Sequence, residues 1–275
     1  MRRGNYAVFA GLLIFCASSP LLKAAGAADL PAGIVQALAQ GRLKAVDLTY
    51  ALDEQSPFWP EGSPASPFHA TTAATYEKDG YFARSLQLPE HIGTHMDAPL
   101  HFDPKGKSLD QIPVSNLILG VVVVDVRAAV KSNPDYRLTV QDLQNWEKAH
   151  GPFPQGGAVV LLTGWGARWP SQARYMNLDA KGVMHFPGFS LDAAHYLLEH
   201  AHPKVLGLDT ASIDYGPSEH FEVHQVTMHA GLYHLENLAN LEQLPATGAV
   251  LIALPIKLRG GSGGPTRVVA LISNP

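Results

Sequence analysis

The stretch HIGTHMDAPLHF, His91 to Phe102, sets three imidazoles and a carboxylate within eleven positions and interrupts them with Gly93 and Pro99. His and Asp bind divalent ions through nitrogen and oxygen. Spacing alone does not gather them. In a straight strand residues 91, 95, 97 and 101 share a face, yet His91 and His101 would lie about 33 Å apart. A continuous helix would pair His91 with His95 and turn Asp97 partly away. Gly93 and Pro99 point instead to a compact turned segment. In it, His95 and Asp97 reach one ion from neighbouring positions and His91 folds back to join them. Three N/O ligands with an open position suit a hydrolytic metal, which polarises a carbonyl and lowers the pKa of bound water to about 7.

A second group lies in FEVHQVTMHAGLYHLENLANL, which carries His224, His229, His234 and Glu236. His224 and Glu236 would be about 18 Å apart along one helix. Gly231 offers a reversal: a helix ending at Ala230, then a strand from Leu232. His229 and His234 are expected to be structural or surface residues. Asp209 and Asp214, in GLDTASID, end a strand, where capping and turn formation are the first expectation and support of a metal ligand the second. GGSGG, Gly260 to Gly264, has the form of a nucleophile elbow, but Pro265 and a further strand follow it where that motif needs a helix, so Ser262 belongs to a hairpin turn.

The elements that must position these groups alternate between helix and strand. GIVQALAQGRL is a short helix ending near Gly41, AVDLTY a strand, and residues 53–68 a proline-rich loop. GYFARSLQLP alternates as a strand leading into the histidines. LILGVVVVDV and GAVVLLTGW are continuous apolar strands buried on both faces. Thr139 caps a helix through His150, with Asp142 completing a capping box. Ser190 opens the helix LDAAHYLLEHA, followed by the strand KVLGLDT. AVLIALPIKL and TRVVALI close the chain around the RGGSGGP turn. The expected fold is α/β: a single domain, residues 28–275, with a mixed β-sheet or partial barrel flanked by helices.

Composition narrows the function. The 275 residues carry a formal net charge of −4, 46% hydrophobic and 16% charged residues, which suits a soluble globular enzyme and gives no basic surplus for nucleic acid. Residues 1–27 have the form of a secretory signal peptide: Arg2 and Arg3, an apolar run, and Ala25-Gly26-Ala27 before the cleavage point. The expected location is the periplasm or the exterior, with no membrane attachment after cleavage. Cys16, the one cysteine, falls within this leader, so thiolate nucleophiles and sulfur-rich zinc sites are excluded from the mature chain.

The pattern H-x-G-T-H-x-D-x-P-x-H, with His91, Gly93, Thr94, His95, Asp97, Pro99 and His101, resembles the metal-dependent cyclase family, which includes bacterial kynurenine formamidases and isatin hydrolases. The likeness extends over roughly residues 45–273. It implies a swivelling β/β/α-like fold, with His91, His95 and Asp97 as metal ligands and His101 as the acid/base residue. It adds His224 and Glu236 as ligands completing a two-ion site of the formamidase kind. The long middle section and the tail resemble the isatin-hydrolase branch, which lacks that glutamate and holds one manganese, so one or two ions, Zn2+ or Mn2+, remain open. By the same likeness Trp59, with Phe58 beside it, is the candidate aromatic wall of a substrate pocket. Trp165 and Trp169 could also approach the site, with core packing the first expectation. A homo-oligomer, dimer or tetramer, is implied.

The expected activity is hydrolysis of an amide, lactam or N-formyl C–N bond in a small aromatic substrate by attack of metal-bound hydroxide. His101 would carry the proton to the departing nitrogen, a role worth about 10²–10⁴ in rate. Two alternatives are lactone or ester hydrolysis at the same centre, and a non-catalytic envelope protein that binds metal or a small ligand.

Overall fold

A computed structural model describes residues 30–60 and 66–274; the leader-like residues 1–27 lie outside them. Helix α1 (Leu30–Ala39) ends before Gly41, whose φ of 69° only glycine adopts without strain, and leads into β1 (Leu43–Asp47). A hairpin of β2 (His69–Ala74) and β3 (Ala83–Gln87), with the short α2 (Tyr76–Asp79) between them, stands before β4 (His95–Asp97). The middle of the chain runs β5 (Ile118–Asp125), α3 (Arg127–Val130), β6 (Arg137–Leu138), α4 (Val140–His150), β7 (Ala158–Leu162), α5 (Gln172–Met176), β8 (Gly188–Phe189), α6 (Leu191–His200) and β9 (Val205–Leu208). Helix α7 (Glu222–His229), β10 (Tyr233–Glu236), β11 (Ala249–Pro255) and β12 (Gly263–Ser273) complete it. No helix among the described residues is long and apolar enough to cross a membrane.

Local chemistry sets the helix ends. The Thr139 hydroxyl accepts from the Asp142 backbone N–H at 3.2 Å while the Asp142 carboxylate accepts from the Thr139 N–H at 2.9 Å, the reciprocal capping box the sequence predicts for α4. Ser190 caps α6 by accepting from Ala193. Gly231, at φ 81°, makes the reversal between α7 and β10.

The main sheet has eight strands in the order β1-β12-β11-β5-β7-β9-β10-β4, and β12 pairs again with β4. That second pairing turns the expected partial barrel into a closed one. The C-terminal part of β12 holds β1 (Asp47 opposite Val269), and its N-terminal part holds β4 (Gly263 opposite Asp97). Strands β5, β7, β9 and β10 run parallel, and β4, β11 and β12 pair antiparallel around them.

Side-chain alternation divides the core into two layers. Val121, Val123, Val160, Leu162, Met96 and Leu235 fill the barrel interior, while Val122, Val124, Val159, Leu161, Leu206 and Leu208 pack beneath α4 and α6. Burial of each such side chain contributes roughly 1.5–3 kcal/mol. One expectation needs correction: the strand around LILGVVVVDV is not buried throughout, for Ile118 is 51% exposed and continuous burial spans only Val121 to Val124. Ile118 and Gly120 are exposed and Leu119 is half-buried, so only the second half of the strand enters the core.

Candidate metal centre and substrate cavity

The segment containing the first histidines is a turn that ends in a three-residue strand. Gly93 takes φ 60°, and Asn237 locks the turn by donating from Nδ2 to the Gly93 carbonyl at 2.8 Å. The Thr94 hydroxyl donates to the Asn237 carbonyl at 2.6 Å. From there β4 lies between β10 and β12, with His95 opposite Glu236 and Asp97 opposite His234. Residues two apart in a strand share a face, so two adjacent strands present two carboxylates and two imidazoles to one another.

At the centre of the resulting cluster His95, Asp97, His224 and Glu236 are buried, with His91 half-buried at its edge. His95 Nε2 lies 3.1 Å from Asp97 Oδ1 and 3.5 Å from Glu236 Oε2. His224 Nε2, from α7, lies 3.5 Å from Asp97 Oδ2 and 3.3 Å from Glu236 Oε1. His91 Nδ1 reaches Asp97 Oδ1 at 2.6 Å. Asp97 thus stands between the two histidines of its own segment and the groups contributed by α7 and β10. His101 follows on the 3-10 turn Pro99–His101, its ring stacked on His91 with centroids 4.0 Å apart.

Two further residues join this group: His234, expected to be structural or at the surface, and Asp214, for which capping is the first expectation and support of a ligand the second. His234 is fully buried, its Nε2 held by the Thr227 hydroxyl at 2.7 Å and its Nδ1 3.9 Å from Asp97 Oδ2. Its spacing of two from Glu236 on a strand was the available signal. Asp214 accepts from His224 Nδ1 at 2.7 Å and from the backbone N–H groups of Val223 and His224 at 3.0 and 3.1 Å. It therefore both caps α7 and orients His224. Asp209 remains a turn residue, accepting from the Thr163 and Gly164 N–H groups, and His229 is exposed on α7.

The electrostatics match a cation site. Burial opposes a charge on His95, but Asp97 and then Glu236 outweigh it and lift the imidazole to about 9. His224 is likewise driven well upward, against burial, by its hydrogen bond to Asp214 and by the neighbouring Asp97 and Glu236 carboxylates. Burial pushes Glu236 upward, and the nearby Asp97 charge adds to this. Desolvation holds His234 neutral, down at about 3. His101 keeps an exposed edge, yet the packing of its ring withdraws it from water and lowers it to about 4. Among the described residues, Asp97 Oδ2 and His234 Nδ1 are buried without a hydrogen-bond partner. An orphaned carboxylate oxygen facing an orphaned imidazole nitrogen, ringed by further His and Glu donors, fits a divalent cation.

The cluster closes one end of a cavity of about 470 Å³. Its lining includes every residue predicted for the site: Phe58, Trp59, His91, His95, Asp97, His101, His224 and Glu236. Met176, Phe102 and Phe221 extend the apolar wall. Phe221, at φ 51°, is a bulky residue in the left-handed region, and its ring sits 6.1 Å from Trp59 and 5.7 Å from Phe102. Gln172 fixes the loop by bonding both the N–H and the carbonyl of Phe58 at 2.9 Å. Trp165 is buried and donates to the Tyr175 carbonyl, while Trp169 is half-buried and stacks on Tyr50 against the same cluster; neither lines the cavity.

The Cyclase family model matches residues 46–215. The isatin hydrolase of Roseibium aggregatum is 33% identical over 258 residues, covering 87% of this chain and 96% of that protein. A kynurenine formamidase from Salinibacter ruber is 26% identical over 228 residues, covering 82% and 95%. The crystal structure of an isatin hydrolase bound to the product analogue thioisatinate superposes with a TM-score of 0.87 at 30% identity, covering 90% of this chain and 99% of the other. The match to the family spans the whole first histidine motif, and the relatives extend the likeness over most of the chain. The chain belongs to the cyclase family.

Proposed function

We propose that the protein hydrolyses the C–N bond of a small cyclic aromatic amide of the isatin type, using a divalent cation held by the buried cluster. The observation that carries this is the placement of an orphaned carboxylate–imidazole pair at the closed end of an aromatic-walled cavity. The isatin hydrolase relatives support the substrate class. His91, His95 and Asp97 would hold one ion, and Asp97 with His224, Glu236 and His234 could accept a second. When bound, the ion supplies Lewis acidity and a source of hydroxide at neutral pH.

The chain's own residues do the rest. Trp59, Phe58 and Phe221 stack on and orient a flat ring so that its carbonyl faces the cluster. His101, neutral at pH 7 because of its lowered pKa, accepts a proton from the attacking water and returns it to the departing nitrogen. Asp214 and Ile213 keep the far side fixed: Asp214 on His224, and the Ile213 N–H donating to Glu236 Oε1 at 2.8 Å. The form of residues 1–27 supports an exported enzyme, to be tested by fractionating cells that express the full chain. The test of activity is hydrolysis of isatin, N-formylkynurenine and an aryl lactone by protein loaded with zinc or manganese. Ring opening of isatin above the other two supports the proposal; a preference for the lactone, or no amide turnover with either metal, overturns it.

A further inference from the structure

The glycine-rich turn before β12 is not spent on chain reversal alone. Ser262 touches the site through His91: its Oγ lies 2.9 Å from His91 Nε2. The same hydroxyl donates to Glu90 Oε2 at 2.7 Å. That carboxylate oxygen also accepts from the Ser262 N–H at 2.8 Å and the Gly263 N–H at 3.2 Å. A carboxylate has no hydrogen to give, so the short Ser262–Glu90 contact consumes the only hydroxyl hydrogen of the serine. The Ser262 oxygen is left to accept, and His91 Nε2 must therefore carry the hydrogen. His91 Nδ1 is then the nitrogen that faces Asp97 Oδ1.

Backbone geometry reinforces this. A Cβ at Gly263 would come within 2.4 Å of His91 Cε1 and 2.9 Å of His91 Nδ1, so the imidazole lies directly on the start of β12. The ring is clamped between a glycine backbone, the Ser262 hydroxyl and Asp97. Asp97 is six positions away, but the contacts from Ser262 and Gly263 come from a distant part of the chain, 171 positions separating His91 from Ser262.

We propose that Ser262 and Glu90 are positioning residues for His91, fixing its Nε2–H tautomer so that Nδ1 is the atom presented to the cation. The inference rests on the proposed metal-dependent function. It assigns to the G-x-S-x-G stretch a task other than nucleophilic attack: Ser262 Oγ forms no covalent bond with substrate, and its hydrogen stays on the Glu90 side. Ligand histidines are generally oriented through their second ring nitrogen, and loss of such a partner costs about 10–100-fold in metal affinity or activity.

The test uses the full chain and zinc, with manganese as a second ion for the wild type. Zinc affinity is measured by chelator competition for the wild type, Ser262→Ala, Glu90→Ala and, as a reference, His91→Ala, with thermal unfolding of each metal-free protein reporting on the fold. The expected result is weakening by about 10–100-fold for both Ser262→Ala and Glu90→Ala. In the zinc-loaded wild type, nitrogen NMR of labelled histidine is expected to show a proton on His91 Nε2 and the metal-induced shift on Nδ1. Wild-type affinity in both folded variants while His91→Ala loses zinc, or a protonated Nδ1 in the loaded protein, overturns the inference. Absence of zinc and manganese binding by the wild type would instead overturn the proposed function beneath it.

Discussion

Replacing Asp214 separates two tasks that one carboxylate performs. Asp214 is 2% exposed and accepts three hydrogen bonds, from the Val223 N–H, the His224 N–H and His224 Nδ1. Asp214→Ala removes the cap of α7, a loss of about 1 kcal/mol. It also leaves the imidazole donor buried and unpaired, a further ~1–3 kcal/mol. The metal-free protein should therefore lose roughly 2–4 kcal/mol, lowering Tm by about 4–16 °C at 2–4 °C per kcal/mol. Asp214→Asn is different. Its single carbonyl oxygen can still accept from His224, but its amide meets the Val223 N–H donor to donor, and the assistance of the charge is gone. About 1–2 kcal/mol should go. Both variants should weaken zinc or manganese binding by about 10–100-fold, because the orientation of His224 depends on the charge as well as on the cap. Denaturant unfolding without metal gives the first quantity and chelator competition the second. Wild-type metal affinity in Asp214→Asn would refute the account of His224, and a loss under 1 kcal/mol in Asp214→Ala would refute the account of the cap.

Other outcomes follow from the same geometry. Gly263→Ala should displace His91 and collide with the Met96 carbonyl, 2.7 Å from the added carbon, lowering metal affinity and Tm together; unchanged values for both would contradict the clamp. His101→Gln should retain metal stoichiometry while kcat for an amide falls about 10²–10⁴-fold, with a smaller loss on an activated aryl ester that needs less protonation of its leaving group; equal losses on the two substrates would deny it the proton-transfer role. Away from the site, His185 is raised above its ordinary 6.5, first by its hydrogen bond to Asp135 at 2.8 Å and against slight desolvation. A raised folded-state pKa gives stability that is fully present below pH 6.5 and lost as pH rises through the folded value. The stability difference between wild type and His185→Gln should therefore shrink with rising pH; a difference that grows would reverse the assignment.

What could be read from the sequence was mostly what neighbours in the chain decide. The Thr139–Asp142 capping box, the Ser190 cap and the Gly231 reversal each depend on a few adjacent residues, and the structure has them where the sequence places them. Strand β12 was legible as a strand, but its use of one edge for both β1 and β4 was not, because barrel closure joins Asp97 to Gly263 across most of the chain. The hairpin strand β2 was missed, since HATTAA is short and largely exposed and carries little alternation. In the site, spacing and the breakers Gly93 and Pro99 indicated a turned segment, and the family pattern brought in His224 and Glu236. His234 escaped because the strand period was not carried two residues back from Glu236. Ser262 escaped because its partner His91 belongs to a distant motif, and a rejected nucleophile had no other visible task.

The central claim is that Asp97 and the imidazoles around it hold a divalent cation at the end of the aromatic cavity. Anomalous diffraction from crystals grown with zinc or manganese, recorded on either side of the metal edge, tests it most directly. The account predicts a peak bonded to the Asp97 carboxylate and to at least one of His95, His91 and His224. Fully loaded crystals with no anomalous density beside Asp97, or with the ion bound only at surface residues, would contradict it.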